Sequence, residues 1–314
     1  RELVGKLAPQ NFNDIIIDIS LFRPGPVKSD MITPFLNARH GWRPAEYLHP
    51  NLKPILQETS GVVVFHEQVI KVVAEMTGCS FAEADEVRRG LGDWDKQPRL
   101  RGWFYPAAIK RGYDLDVVDK VWDVLRAFAS FGFCKAHAGA FAVPTYQSAW
   151  LKAHHPAAFY AGILTHDPGM YPQRLLLDDA RQSGVPILGL DINRSKATYV
   201  VESLDAELGL RIALSQVKGI SEAEVESLVA SQPFTDINDV WNRADISRPI
   251  LERIVLAGGF DAMYDITVSA RRGTTTRRDL YVHIAELDRW RSSGDRDEFL
   301  FDVGMQAVPM VTGL

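Results

Sequence analysis

A lysine and a histidine stand two residues apart at the start of an alanine-rich segment that is typical of a helix. They are Lys135 and His137, in the stretch GFCKAH at 132–137. On a regular helix such side chains point in different directions, so one ligand can meet both only where the chain turns into the helix. There, free backbone N–H groups and the helix dipole favour an anion. The spacing therefore predicts a phosphate site, although both residue types are also common as ordinary surface residues near a helix start.

Two consecutive arginines, Arg88 and Arg89, lie in the last turn of another predicted helix, before Gly90. A capping box made by Ser80 and Glu83 opens this helix. Basic residues at a helix C-terminus complement the helix dipole, which is one sufficient reason for their presence. The guanidinium group also presents a fixed fork of donors that matches phosphate oxygens. The sequence leaves both interpretations open.

A loop with the sequence VKGIS at 217–221 resembles the hairpin of a helix-hairpin-helix motif, which has the pattern hydrophobic-x-Gly-hydrophobic-Gly. Such loops contact DNA phosphates through backbone N–H groups without selecting a base sequence. The candidate contacts are Lys218, Gly219 and Ser221. Because Ser221 replaces the second glycine and can form a capping box with Glu224, a purely structural turn is an equally good interpretation.

Four arginines lie close together beyond this loop, at Arg271, Arg272, Arg277 and Arg278. A solvated run of charge is the usual explanation for such a stretch. Contact with the DNA backbone is the alternative, and it makes Arg271 and Arg272 candidate DNA-binding residues.

The elements that must position these residues are mostly helices. Periodic apolar residues predict helices over 13–22, 66–77 and 115–128, and Gly78 is placed to end the second. Pro144 is expected to kink or break the helix that follows the Lys135 turn, because proline lacks the backbone N–H group that a helix interior uses.

Extended segments at 198–202 and 208–214 alternate enough to form a small hairpin. The predicted fold class is mainly α, in four parts. These are a helical domain at 1–165, a small α/β connector at 166–206, a helix-hairpin-helix module at 207–262 and an irregular, partly disordered basic tail or linker at 263–314.

The composition sets wider limits. With 314 residues and 46% hydrophobic content, the chain can form two or three packed domains. Its net charge of −5 requires any nucleic-acid contact to come from local basic patches. Cys79 and Cys134 alone provide no disulfide framework, no apolar run approaches a membrane span, and a cytoplasmic location is expected. Because the chain begins with Arg1, we expect it to be a piece of a longer protein.

Several motifs occur together in a characteristic order. They are LFRPGP at 21–26, GVVVFHEQ at 61–68, ADEVRRG at 84–90, GFCKAH at 132–137 with YQSAWLKAH at 146–154, and LGLDIN at 188–193. In this order they resemble bacterial C-family DNA polymerases, the alpha subunit of polymerase III, and most of all the error-prone branch. The resemblance implies that the N-terminal helical domain is the polymerase fingers domain.

The resemblance also implies roles for the basic residues. In the family, the corresponding residues surround the triphosphate of the incoming nucleotide, so Arg88, Arg89, Lys135 and His137 become the expected triphosphate-binding set. His137 can donate a proton to the departing pyrophosphate, since the pKa of an unperturbed histidine suits that task. Hydrogen bonding to phosphate, or simple packing, is the alternative role.

Catalytic metal is not expected to bind this chain. In the resembling family two Mg²⁺ ions are held by palm-domain aspartates upstream of the matched region. Of the aspartates Asp14, Asp18, Asp30 and Asp167, none forms a paired-carboxylate motif. Glu67 lies in FHEQ, but no second histidine follows at the helical spacing that a zinc site needs. The parent protein is therefore expected to be a DNA-directed DNA polymerase, while this chain binds rather than catalyses.

The expected partners are primer-template DNA, deoxynucleoside triphosphates and other replisome or mutasome proteins. The sliding clamp is not expected to bind here, because the segment at 298–301 lacks the leading glutamine of clamp-binding peptides. The expected function is template-directed synthesis during damage tolerance. Two alternatives are a non-catalytic DNA-binding or interaction protein derived from the family, and an unrelated metabolic enzyme that binds a nucleotide phosphate. The second is disfavoured because no Walker or dinucleotide-binding loop is present.

Overall fold

A computed structural model describes residues 2–21, 31–128, 132–205, 207–267 and 275–292. The chain divides into two compact units, Arg1–Ala149 and Trp150–Leu314. Among the described residues, no helix is both long enough and apolar enough to cross a membrane.

The first unit is built from helices. They are α1 (Glu2–Leu7), α2 (Phe12–Leu21), α3 (Ile32–Arg39), α4 (Lys53–Leu56), α5 (His66–Thr77), α6 (Phe81–Leu91), α7 (Gln97–Lys110), α8 (Leu115–Phe128) and most of α9 (Lys135–His154), whose last turn lies beyond Ala149. Short 3₁₀ turns at Pro50–Leu52 and Gln57–Thr59 flank α4.

Helices α5 and α6 form a hairpin that the sequence specifies closely. Gly78 ends α5 with a φ of 75°, a left-handed conformation that glycine adopts without steric cost. Ser80 and Glu83 then form the predicted capping box at the start of α6. Apolar side chains at helical spacing are buried between α5, α6, α7 and α8, including Val69, Val72, Val73, Met76, Val87, Leu91, Phe104, Val118, Trp122 and Leu125.

Pro144 was expected to kink or break the helix that follows the Lys135 turn. No break occurs there, because α9 continues through Pro144 to His154. Proline removes one hydrogen bond to the carbonyl group four residues earlier, which is that of Ala140. Both residues are exposed, so water can satisfy the carbonyl group and the cost of the missing bond is reduced.

The second unit begins with two helices and a small sheet. Helices α10 (Pro156–His166) and α11 (Gln173–Gln182) pack beside three strands, β1 (Ile187–Leu188), β2 (Val200–Leu204) and β3 (Glu207–Arg211). The strand order is β1-β3-β2, with β3 parallel to β1 and antiparallel to β2. The β2–β3 pair is the predicted hairpin; β2 begins two residues later than the sequence pattern indicated, and β3 is shorter than predicted.

The remaining helices form the module that contains the VKGIS loop. They are α12 (Glu222–Ser231), α13 (Ile237–Arg243), α14 (Arg248–Leu256) and α15 (Arg277–Ser292). Helix α15 lies in the segment expected to be an irregular tail. It is helical because Leu280, Ile284 and Leu287 recur at helical spacing and are buried in the core of the module.

The LGLDIN motif links the end of β1 to this module. The Asp191 carboxylate accepts hydrogen bonds from the backbone N–H groups of Asn193 and Arg194 at 2.8 and 3.1 Å. The Asn193 side chain exchanges two hydrogen bonds with the backbone of Phe234, at 2.8 and 2.7 Å. The motif is therefore a structural anchor within the second unit.

Candidate functional site

The turn before α9 is held by the first turn of α5. Phe65 pairs with Phe133 in an isolated parallel bridge, and the backbone N–H of His66 donates to the carbonyl of Phe133 at 3.0 Å. Gly132 is needed for this contact, because an added Cβ there would lie 2.2 Å from the Cδ2 atom of the His66 ring. The FHEQ and GFCKAH motifs, which are distant in sequence, therefore contact each other directly and together form the turn before α9.

Glu67 completes the turn by capping α9. Both of its carboxylate oxygens lie 3.1 Å from the backbone nitrogen of Lys135, and the Cys134 thiol is 3.5 Å from Oε1. A carboxylate at a helix N-terminus is stabilised by the helix dipole. The expectation of free N–H groups at this helix start is therefore wrong for Lys135, since the chain supplies its own anion there.

The Lys135 side chain is also held. Its ammonium group forms an ion pair with Glu58 and lies 5.4 Å from the centre of the Phe65 ring. The side chains of Lys135 and Glu58 are 35% and 33% exposed, so the pair remains accessible to solvent. A phosphate can reach this lysine by displacing the carboxylate of Glu58.

His137 is exposed on the first turn of α9. Its ring makes edge contacts with Phe133 and Phe141, with centroid distances of 5.2 and 4.8 Å. Within the described residues its ring nitrogens have no hydrogen-bond partner. The structure supports the packing role directly, and exposure leaves the nitrogens accessible to a ligand.

Arg88 and Arg89 share one carboxylate. Each Nε donates to Asp85 at 2.8 Å, one turn earlier on α6. Hydrogen bonding from Arg88 is the main cause that lowers the pKa of Asp85, against the opposing effect of burial. The Arg88 side chain is 21% exposed and that of Arg89 is 73% exposed. Asp85 therefore fixes the orientation of both arginines, while Arg89 stays open to solvent.

The α5–α6 hairpin relates the two groups of basic residues. Helices α5 and α6 pack against each other and are joined by a short connection after Gly78, which is the arrangement of an antiparallel helical hairpin. In such a hairpin the last turn of the second helix lies toward the end where the first begins. That end of α5 holds the turn with Lys135, and the last turn of α6 carries Arg88 and Arg89. Within the described residues, no hydrogen bond or ion pair joins the two groups.

The VKGIS loop in the second unit has the backbone of a tight turn. Gly219 has a φ of +81°, and an added Cβ would lie 2.5 Å from Nη1 of Arg253. The same guanidinium donates to the carbonyl oxygen of Lys218. The Lys218 side chain is exposed, and the backbone N–H of Gly219 has no partner within the described residues.

Glu224 holds the N-termini of two helices in this module. Its carboxylate accepts from the backbone N–H and hydroxyl of Ser221 at 2.9 and 2.8 Å, and from those of Ser247 at 3.0 and 2.7 Å. Burial alone would raise its pKa, but these four hydrogen bonds lower it to about 2. The predicted capping box of Ser221 is therefore present, and a carboxylate already occupies part of the anion site that the loop would offer to phosphate.

The sequence did not indicate which carboxylates pair with the candidate cations. Asp85 lies one turn away from its arginines, so helical spacing could have identified it. Glu58 and Glu67 are far from Lys135 along the chain, and only the fold brings them together. Arg271 and Arg272 lie outside the described residues. Among the described residues, no group of three or more His, Cys, Asp or Glu side chains could hold a metal ion.

Comparisons with known proteins show what the chain is similar to. Residues 1–111, which include Arg88 and Arg89, match the finger domain of the bacterial DNA polymerase III alpha subunit. Residues 184–271, which include the VKGIS loop, match a helix-hairpin-helix motif.

Curated relatives cover most of the chain. An error-prone DNA polymerase of Teredinibacter turnerae is 34% identical over 84% of this chain and 26% of its own length. Those of Symbiobacterium thermophilum and Mycobacterium tuberculosis are 36% and 37% identical, over 93% and 81% of this chain and 29% and 24% of their own lengths. The chain spans about a quarter of the length of these relatives. It belongs to the bacterial DNA polymerase III alpha-subunit family, of which it comprises the finger domain and the helix-hairpin-helix region.

Proposed function

We propose that this chain is the fingers and DNA-binding portion of an error-prone bacterial DNA polymerase. In this proposal Arg88, Arg89, Lys135 and His137 bind the triphosphate of the incoming deoxynucleoside triphosphate. The observation that carries the proposal is the packing of α5 against α6: Glu67 at the start of α5 caps the turn with Lys135, and the arginines lie in the last turn of α6, which an antiparallel pair brings toward the same end.

The carboxylates near these cations favour an exchange of ion pairs. In the absence of ligand, Asp85 pairs with both arginines and Glu58 pairs with Lys135. Exposed ion pairs of this kind contribute about 0.2–1 kcal/mol each. A triphosphate carries several negative charges and can take up the same donors at once. Nucleotide binding would then replace weak pairs by stronger ones, while Glu67 keeps the turn in place.

The helix-hairpin-helix region is proposed to hold the primer-template. Lys218, Gly219 and Ser221 would contact one phosphate, with Arg271 and Arg272 as further contacts to the backbone. Because Glu224 occupies part of this anion site, binding through the loop should be weak and independent of base sequence. Mg²⁺ would be held by palm residues elsewhere in the polymerase, in a cytoplasmic enzyme that works in damage tolerance with other replisome or mutasome proteins.

The test uses a polymerase in which this chain is joined to its catalytic domain. Arg88→Ala and Arg89→Ala should each lower kcat/KM for the nucleotide. The loss of transition-state stabilisation calculated from that change should be about 1.5–3 kcal/mol, the range for a hydrogen bond to a charged group. Primer-template affinity should change little. Arg181→Ala is the matched control, because this 56% exposed arginine also pairs with an aspartate one turn earlier, Asp178.

The opposite division of effects would contradict the proposal. If Arg88→Ala and Arg89→Ala weaken DNA binding while nucleotide kinetics hold, the arginines belong to a surface that contacts the DNA backbone.

A further inference from the structure

A groove on the first unit has no role in the proposed triphosphate site. It lies between the segment after α6, the first part of α7 and the last part of α8, and its volume is about 640 Å³. We call it the Trp94 groove. The lining residues that matter here are Trp94, Arg101, Gly102, Tyr105, Trp122 and Arg126.

The groove offers a flat aromatic surface. Trp94 is 75% exposed, which is unusual for so large an apolar side chain, and it has no aromatic partner within the described residues. Tyr105 and the buried Trp122 lie edge to face, with ring centroids 6.1 Å apart. An exposed indole beside further rings provides a platform on which an unpaired nucleobase can stack.

The charges that line the groove are all positive. They belong to Arg101, whose guanidinium lies 4.6 Å from the centre of the Tyr105 ring, and to Arg126. Arg101 is 3.6 Å from Asp119 and Arg126 is 3.2 Å from Asp123, but neither aspartate lines the groove. Both arginine side chains are at least half exposed, so they can turn toward a phosphate at the groove.

Gly102 keeps the groove open. It lies within α7, where glycine costs about 1 kcal/mol relative to alanine. An added Cβ at this position would meet nothing within 4 Å, so packing does not require glycine here. The effect of this glycine is the absence of a side chain at the groove wall.

We propose that the Trp94 groove binds single-stranded nucleic acid, with a base stacked on Trp94 and phosphates held by Arg101 and Arg126. The proposal rests on the proposed function, since a template-directed polymerase must accommodate unpaired template. A proline-rich peptide would also fit an aromatic groove, but it would not require two arginines. Base stacking together with phosphate-binding cations favours the single strand.

The experiment measures the binding of a fluorescently labelled oligothymidylate to the whole 314-residue chain by anisotropy. An excess of unlabelled duplex occupies any duplex-binding surface. Trp94→Ala should weaken binding by about fivefold or more, the range for one stacked base. Gly102→Leu, which fills the groove from an open position, should weaken binding similarly. The double variant Arg101→Ala, Arg126→Ala should also reduce the dependence of affinity on salt.

Two matched controls should leave affinity unchanged. Trp42→Ala removes another tryptophan of the first unit, which is 70% exposed, and Arg181→Ala removes an arginine paired in the same way as Arg126. Circular dichroism verifies that Gly102→Leu is folded.

Unchanged affinity in both Trp94→Ala and Gly102→Leu would overturn the proposal. So would a proline-rich peptide that loses binding in Trp94→Ala while the oligothymidylate does not, because the groove would then be a peptide site. No nucleotide kinetics enter this measurement, so failure of the groove leaves the triphosphate site untouched, and failure of the Arg88 and Arg89 variants leaves the groove untouched.

Discussion

Replacing Glu224 by glutamine removes one negative charge from the point where two helices of the second unit begin. The carboxylate accepts four hydrogen bonds, two from Ser221 at the start of α12 and two from Ser247 at the start of α14. Glutamine has nearly the same size, but it is uncharged and keeps only one acceptor oxygen, so it cannot replace the carboxylate that bonds both serines. The variant therefore tests the charge and the bridge without creating a cavity.

The magnitude follows from the pKa of this group. Hydrogen bonding lowers the pKa of Glu224 from 4.5 to about 2, against the effect of burial. If the whole pKa difference is converted to a free energy, Glu224 contributes about 3 kcal/mol to the free energy of unfolding. Since the side chain is only partly buried, solvent screening reduces the figure, and we expect a loss of about 1–2 kcal/mol at pH 7.

The sign of the pH dependence is fixed by the lowered pKa. A carboxyl group whose pKa is lower in the folded state stabilises that state fully above its unfolded pKa, here 4.5. This contribution is lost as the pH falls from about 4.5 toward about 2. Glu224→Gln should therefore differ from the parent chain at pH 7 and approach it near pH 2.

Hydrogen exchange of the amide groups in α12 and α14 measures the local free energy of opening. Glu224→Gln should speed exchange about five- to thirtyfold at pH 7. The control is Glu222→Gln, which removes an exposed carboxylate from the same first turn of α12. Equal exchange in the two variants, with the same pH dependence, would refute the bridging role of Glu224.

Three further outcomes are expected. Glu67→Ala should speed amide exchange at Lys135 and lower kcat/KM for the nucleotide, because the N-terminus of α9 loses its cap at a typical cost of about 1 kcal/mol. The control Glu86→Ala, on an exposed face of α6, should do neither, and equal behaviour of the two variants would argue against the cap. In a salt titration of the whole chain on one labelled duplex, Ser221→Gly should strengthen binding by freeing the N–H group of Glu224, and Gly219→Val should weaken it by blocking close approach of the backbone. Equal affinities would make the loop a structural turn only. The chain alone should incorporate no nucleotide on a primed template, since the catalytic aspartates of the family lie in the palm domain; Mg²⁺-dependent incorporation by a contaminant-free preparation would contradict this.

Local signals in the sequence specified much of the helical structure. The helix His66–Thr77, its stop at Gly78 and the capping box at Ser80 follow from residue types within a few positions of one another. The apolar face of α8 was identified in the same way. These elements depend on short-range chemistry, which a single sequence contains.

Other features depend on contacts between distant parts of the chain. Glu67 was noticed as half of a metal motif, but its role as the cap of α9 requires the 66–68 and 132–135 segments to meet. The pairing of Lys135 with Glu58 and the double capping by Glu224 have the same origin. Helix α15 was not predicted because many charged residues lie around its three buried apolar residues, Leu280, Ile284 and Leu287.

The most direct test of the triphosphate site compares three variants in a polymerase that contains this chain. Lys135→Ala removes a proposed phosphate ligand, Glu58→Gln removes the carboxylate that competes for it, and Glu86→Gln removes an exposed carboxylate from α6 as a control. The measurement is kcat/KM for the nucleotide at fixed primer-template.

The proposed site predicts opposite signs for the two variants at the ion pair. Lys135→Ala should lower kcat/KM by roughly tenfold or more, as for loss of a hydrogen bond to a charged group. Glu58→Gln should raise it up to about fivefold, the worth of an exposed ion pair, and Glu86→Gln should leave it unchanged. A decrease in Glu58→Gln, or no change in Lys135→Ala, would contradict the account.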